Sequence, residues 1–132
     1  GLVRADYQDM ASEVFAPDTF MPAPAQGALA IEAVKDSAAA RAIETLIDEL
    51  ASAASLGERT VLSRLEAGCT APVAATSTIE NGQLTVRGGV FALDGSRQLL
   101  ASATGPLSDA AQLGSAVSEE LFSRGAAELL GN

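Results

Sequence analysis

Residues 63–75 read SRLEAGCTAPVAA and hold the only cysteine of the chain, Cys69. Its thiolate form could attack an electrophile or carry a covalent group. Free cysteines are equally well known as small buried hydrophobes. Cys69 lies between Gly68 and Thr70, where an apparent helix stops and β-type residues begin. Loops at such junctions can hold a side chain toward a cleft, and spacing alone leaves both readings open. A second candidate is PAPAQGA, residues 22–28. There Gln26 and Gly27 can present a carboxamide and backbone N–H groups to a ligand carboxylate, although the stretch also reads as a bare linker.

Composition removes several classes of chemistry. Eight Lys and Arg against seventeen Asp and Glu give 132 residues a formal charge of −9, which opposes nucleic-acid binding because phosphate attraction needs clustered cations. Without His the chain has no Ser-His-Asp triad and no His-based zinc site; a single Cys supplies no thiolate cluster, so no metal is expected. A thiol hydrolase lacks the imidazole that would generate its thiolate. Glu44, Asp48, Glu49, Glu119 and Glu120 are spaced like solvated helix faces, Asp94 like a turn residue and Asp109 like a helix cap. No uncharged run approaches the ~18 residues of a membrane span, and GLVRADYQDM lacks the pattern of a secretion signal. A lone thiol fits a reducing compartment, so a cytoplasmic location is expected.

The elements that must position these residues are legible to different degrees. Leu2, Val3, Tyr7, Met10 and Val14 suggest a short helix, and Pro17, Pro22 and Pro24 mark a connection. GALAIEAV, residues 27–34, has the form of a buried strand. From Ser37, Ile43, Leu46, Ile47 and Leu50 share one helical face that Asp36 or Ser37 could cap. After ASAASLG a second helix is predicted to run to Glu66 with Val61, Leu62 and Leu65 inward, ended by Gly68 and Pro72. Asn81-Gly82 and Asp94-Gly95 then separate three antiparallel strands. The middle strand sends Leu84, Val86, Val90 and Ala92 to one face and Thr85, Arg87 and Phe91 to the other, with Gly88-Gly89 marking a bulge or a close backbone approach. Ser108 or Asp109 caps a last helix bearing Leu113, Val117 and Leu121, interrupted near Gly125. The fold class is α+β: a three-stranded antiparallel sheet covered by helices, preceded by remnants of α/β domains.

PAPAQGALAIE, Glu58-Arg59, RLEAGCTAPV, GQLTVRGGVFALDGS and SEELFSRGAAELL, in that order, resemble the C-terminal portion of the porphobilinogen deaminase (hydroxymethylbilane synthase) family. The resemblance spans essentially the whole chain. Ala67 stands where the family's RLEGGC motif has glycine, and Ala25 where its GQGA motif has glycine. The resemblance implies a transferase that joins four porphobilinogen units, with loss of ammonia, into a linear tetrapyrrole. Its primer is a dipyrromethane cofactor bound through a thioether to Cys69, flanked by Gly68 and Thr70, with Gln26 and Gly27 contacting substrate. It also implies that residues 1–22 end a second α/β domain, 23–50 return as strand and helix to a first, and 51–132 form the cofactor-bearing domain. The partners would be porphobilinogen, the growing pyrrole chain and the missing N-terminal domains of the same polypeptide, with neither nucleic acid nor membrane, in a monomer. The family's catalytic aspartate and carboxylate-binding arginines would lie upstream, so the fragment alone would be inactive. The competing reading is a non-catalytic α+β structural or partner-binding module with a packed cysteine.

Overall fold

A computed structural model describes residues 1–66, 68 and 71–131. Three antiparallel strands in the order β1 (Val73–Glu80), β2 (Gln83–Phe91), β3 (Gln98–Pro106) make the sheet. Asn81 (φ 52°) and Gly82 (φ 73°) form a two-residue hairpin loop with both residues left-handed, the backbone that matches the twist of paired strands. The β2–β3 loop is longer and closes through Ala92 N–H to the Arg97 carbonyl at 2.8 Å. Within it Asp94 acts as the expected turn residue, accepting from the Ser96 hydroxyl at 2.6 Å and the Ser96 N–H at 3.0 Å. Those two bonds hold the Asp94 carboxyl below its usual range.

Two helices cover one sheet face: α2 (Glu49–Arg64) and α3 (Ala110–Ser123). Leu84, Val86 and Val90 meet Val61 and Leu65 from the first helical segment and Val117 and Leu121 from the second, all fully or almost fully buried. Leu62 is only half-buried. The α+β expectation holds. So does one of the two readings of Gly88-Gly89: both strand pairings run through these residues without interruption, so there is no bulge. A Cβ on Gly88 would lie 2.8 Å from Val117 Cγ1 and 3.0 Å from Val61 Cγ1, because both helices rest on the bare backbone there. α3 starts after a 3-10 turn at Leu107–Asp109. Asp109 occupies the cap position without a side-chain bond to the backbone, its carboxylate being taken by the Ser108 hydroxyl. Gly125 (φ 95°) separates α3 from α4 (Ala126–Leu130) as expected.

Four expectations need correction. The helix from Ser37 is short: α1 (Ala38–Glu44), capped by Ser37 Oγ on Ala40 N–H, stops before Leu46. Asp48, read as a surface carboxylate, accepts from Leu50 and Ala51 N–H at 3.0 Å and opens α2, which makes ASAASLG helix interior rather than a connection. The segment 28–34 forms no ladder, and Leu29 and Val34 are at least 80% exposed. A strand has no internal hydrogen bonds and exists only beside a partner, which this stretch does not find among the described residues. The opening helix is instead two 3-10 turns, Val3–Ala5 and Gln8–Met10.

The tightest point of the fold is where α2 crosses α3. A Cβ on Gly114 would sit 2.4 Å from the Gly57 carbonyl oxygen and 2.7 Å from Thr60 Cβ. Gly114→Ala therefore forces two helix backbones apart, and because the clash is with a backbone oxygen the cost lies in the upper part of the overpacking range, ~2–3 kcal/mol, against a helix-propensity gain of ~1 kcal/mol. Chemical denaturation should show a net loss of about 1–2 kcal/mol; an unchanged midpoint would mean that the helices do not cross this closely.

Candidate functional site

Cys69 and Thr70, together with Ala67, lie outside the described residues. Both ends of their segment are fixed. On the helix side Leu65 is fully buried beneath α2, and Glu66 turns the chain with a left-handed backbone (φ 51°). That corrects the sequence assignment: the left-handed residue after the helix is Glu66, not Gly68. On the strand side Pro72 accepts from Phe91 N–H at 3.0 Å, and Ala71 donates to the Gly68 carbonyl at 3.0 Å. Gly68 itself is exposed.

A groove of about 440 Å³ opens beside this segment, walled by Leu65, Ala71, Pro72, Leu93 and Leu129. Glu66 and Glu128 also line it, and no Lys or Arg does. It offers apolar contact to a flat ring and no neutralisation to an anion. Among the described residues, no three His, Cys, Asp or Glu side chains converge as a metal site, and no helix is long and apolar enough to cross a membrane.

Gln26 and Gly27 do not line that groove. They sit in a separate exposed turn, closed by Gln26 N–H to the Ala23 carbonyl (3.2 Å) and Ala28 N–H to the Ala25 carbonyl (3.0 Å). The Gln26 carboxamide oxygen accepts from Ala23 N–H at 3.3 Å. Its NH₂ group is then the end suited to an outside carboxylate. The preceding residues are tied to the sheet domain rather than forming a bare linker. Asp18 ion-pairs with Arg87 on the uncovered sheet face, Pro22 accepts from Ala75 N–H at 3.1 Å along the edge of β1, and Glu58 of α2 accepts from Ala25 N–H at 2.7 Å. Arg87 also lines a second cavity of about 470 Å³ with Met21, Leu100 and Arg124. Arg124 is engaged there, by Glu120 at 2.7 Å and the Leu100 carbonyl at 2.7 Å. The roles of Asp18 and Glu58 were not read from the sequence; their partners lie 69 and 33 residues away, beyond any local pattern.

Comparison with known proteins gives a consistent picture. A family model described as "Porphobilinogen deaminase, C-terminal domain" matches residues 52–123, and one described as "Porphobilinogen deaminase, dipyromethane cofactor binding domain" matches residues 1–42. Cys69 falls in the first match, Gln26 and Gly27 in the second. A protein named porphobilinogen deaminase from Corynebacterium aurimucosum is 68% identical over 130 residues, 98% of this chain and 44% of that protein. Its namesake from Corynebacterium glutamicum is 49% identical, covering all of this chain and 45% of that protein. The one from Deinococcus radiodurans is 37% identical over 98% of this chain and 42% of its own length. The chain thus spans less than half the length of these relatives.

Ala25 holds φ 58°, a backbone that costs an alanine ~1–2 kcal/mol and a glycine little. Ala25→Gly should therefore tighten the turn despite the greater freedom of glycine in the unfolded chain. Amide exchange at Gln26 and Ala28 should slow by roughly threefold, the equivalent of ~0.6 kcal/mol; faster exchange would show that the turn does not need the left-handed residue.

Proposed function

The chain belongs to the porphobilinogen deaminase family, and from that premise we propose that it is the C-terminal part of a transferase that joins four porphobilinogen units into hydroxymethylbilane, releasing ammonia, on a dipyrromethane primer held by Cys69. The observation that carries this reading is the segment bearing the chain's only thiol, pinned between buried Leu65 and the Pro72–Phe91 hydrogen bond and flanked by an open groove. A tether needs a fixed base, and buried Leu65 and the hydrogen-bonded Pro72 supply fixed points on either side of the thiol.

Fit to the cofactor divides into two parts. The groove walls suit pyrrole rings, and Gly68, which lines the groove, is exposed. The carboxylates are not served: each pyrrole brings two, while Glu66 and Glu128 are the charged residues of the groove. Like charges 4 Å apart repel by ~1 kcal/mol even in water and by more in a partly dry cleft. Neutralisation must come from the upstream polypeptide. When bound, the cofactor supplies the pyrrole carbon to which units are added. Cys69 then keeps the growing product local, replacing repeated bimolecular encounters by positioning. Gln26 NH₂ and Gly27 N–H donate to a substrate carboxylate.

Residues 1–22 complete a second α/β domain, residues 23–50 return to a first, and residues 51–132 carry the cofactor. Exposure of Leu29, Ile31, Val34, Leu46 and Ile47 supports that division, since apolar side chains in such number ordinarily meet a partner surface. The full polypeptide works as a cytoplasmic monomer, and the catalytic aspartate and anion-binding arginines belong to its N-terminal part.

In the full-length polypeptide, Cys69→Ser should cut tetrapyrrole formation by roughly a hundredfold or more while leaving the thermal midpoint near its original value. The 132-residue chain alone should yield no tetrapyrrole from porphobilinogen. Undiminished turnover in the serine variant, or product from the chain alone, would contradict the assignment.

A further inference from the structure

Five non-glycine residues take a left-handed backbone among the described residues: Asp6, Ala25, Asp36, Glu66 and Asn81. Four have polar side chains, of the kind that can bond locally; Ala25 has none. Its turn is steadied from outside, because Ala25 N–H points at Glu58 Oε2 on α2 at 2.7 Å, across 33 residues of sequence. A charged acceptor makes this one of the stronger hydrogen bonds available to a backbone amide. Two further ties bring the strap to that point. Asp18 meets Arg87 on the uncovered face of the sheet, and the Pro22 carbonyl takes Ala75 N–H on the open edge of β1. The strap therefore passes from one sheet face, round the edge strand, to the helix side, and Gln26 is the next residue after the last tie. Covering an open edge with a loop also blocks unwanted strand pairing there.

We propose that Glu58 is a positioning residue for the substrate donors Gln26 and Gly27: by accepting Ala25 N–H it locks the left-handed turn and fixes both donors to the domain that bears Cys69. This rests on the functional reading above. A donor held in this way contributes to binding of the substrate carboxylate in ground state and transition state alike. Its loss should appear in KM rather than in kcat. The acceptor oxygen is the essential feature and its charge strengthens the bond, so glutamine should substitute in part where alanine cannot.

The test uses the full-length polypeptide with Glu58→Ala and Glu58→Gln. In the alanine variant, amide exchange at Ala25 should rise about tenfold or more, the loss expected for a bond to an ionised acceptor. KM for porphobilinogen should rise severalfold with kcat within about twofold, and the glutamine variant, which keeps a neutral acceptor, should fall between the parent and alanine in both readouts. Unchanged Ala25 exchange in the alanine variant would overturn the proposal. So would unchanged KM despite faster exchange, or a glutamine variant as impaired as alanine, which would indicate a role for the charge instead. Failure of the functional reading would look different: the parent protein itself would show no turnover, while the exchange comparison would still report on the clamp.

Discussion

The close approach of two helices to each other and to a bare strand is the constraint on which the rest depends. α2 and α3 approach backbone to backbone at Gly57 and Gly114, and both rest on Gly88 of β2. A sheet of three strands has a narrow face, and two helices can share it only by crossing at positions without a Cβ. That crossing fixes the end of α2, buries Leu65 completely, and so determines where the following segment leaves the domain. The point at which the chain leaves α2 after Leu65 is in this sense a consequence of Gly57 and Gly114.

Charge explains why the site is divided. The chain carries −9, and among the described residues the groove beside the thiol segment is lined by two of its carboxylates and no cation. Arg64, Arg87, Arg97 and Arg124 each lie within 4.0 Å of a carboxylate of the chain itself. A product rich in carboxylates cannot be stabilised by such a surface, although it can be anchored there by a covalent bond that is indifferent to charge. The proposed function therefore assigns anchorage to this chain and neutralisation to the upstream polypeptide.

What was legible in the sequence was whatever is decided locally. Asn81-Gly82 declared its hairpin because positive φ is a property of two residues. The alternation of Leu84, Val86 and Val90 declared a buried face for the same reason. The helix boundary at Asp48 was missed because a carboxylate on a helical pattern looks the same whether it faces water or caps the next helix; only the bonds to Leu50 and Ala51 separate the cases. The strand over 27–34 was overread because its apolar run is suited to a partner that the chain does not provide. The strap from Asp18 to Ala25 was read as a linker because prolines forbid regular structure there, yet irregular backbone can still be bound at each end and at its middle. Of the candidate site, Gln26, Gly27 and Cys69 could be named from their residue types and their place in the sequence. The clamp through Glu58 was not, since it joins segments far apart in sequence.

The account stands on a sulfur atom that is used as an anchor. Its most direct measurement is the intact mass of the active full-length protein, followed by mass mapping of the peptide that contains Cys69. The expected result is an added mass equal to two linked pyrrole units, located on that cysteine and lost on Cys69→Ser. An unmodified thiol in fully active protein would contradict it.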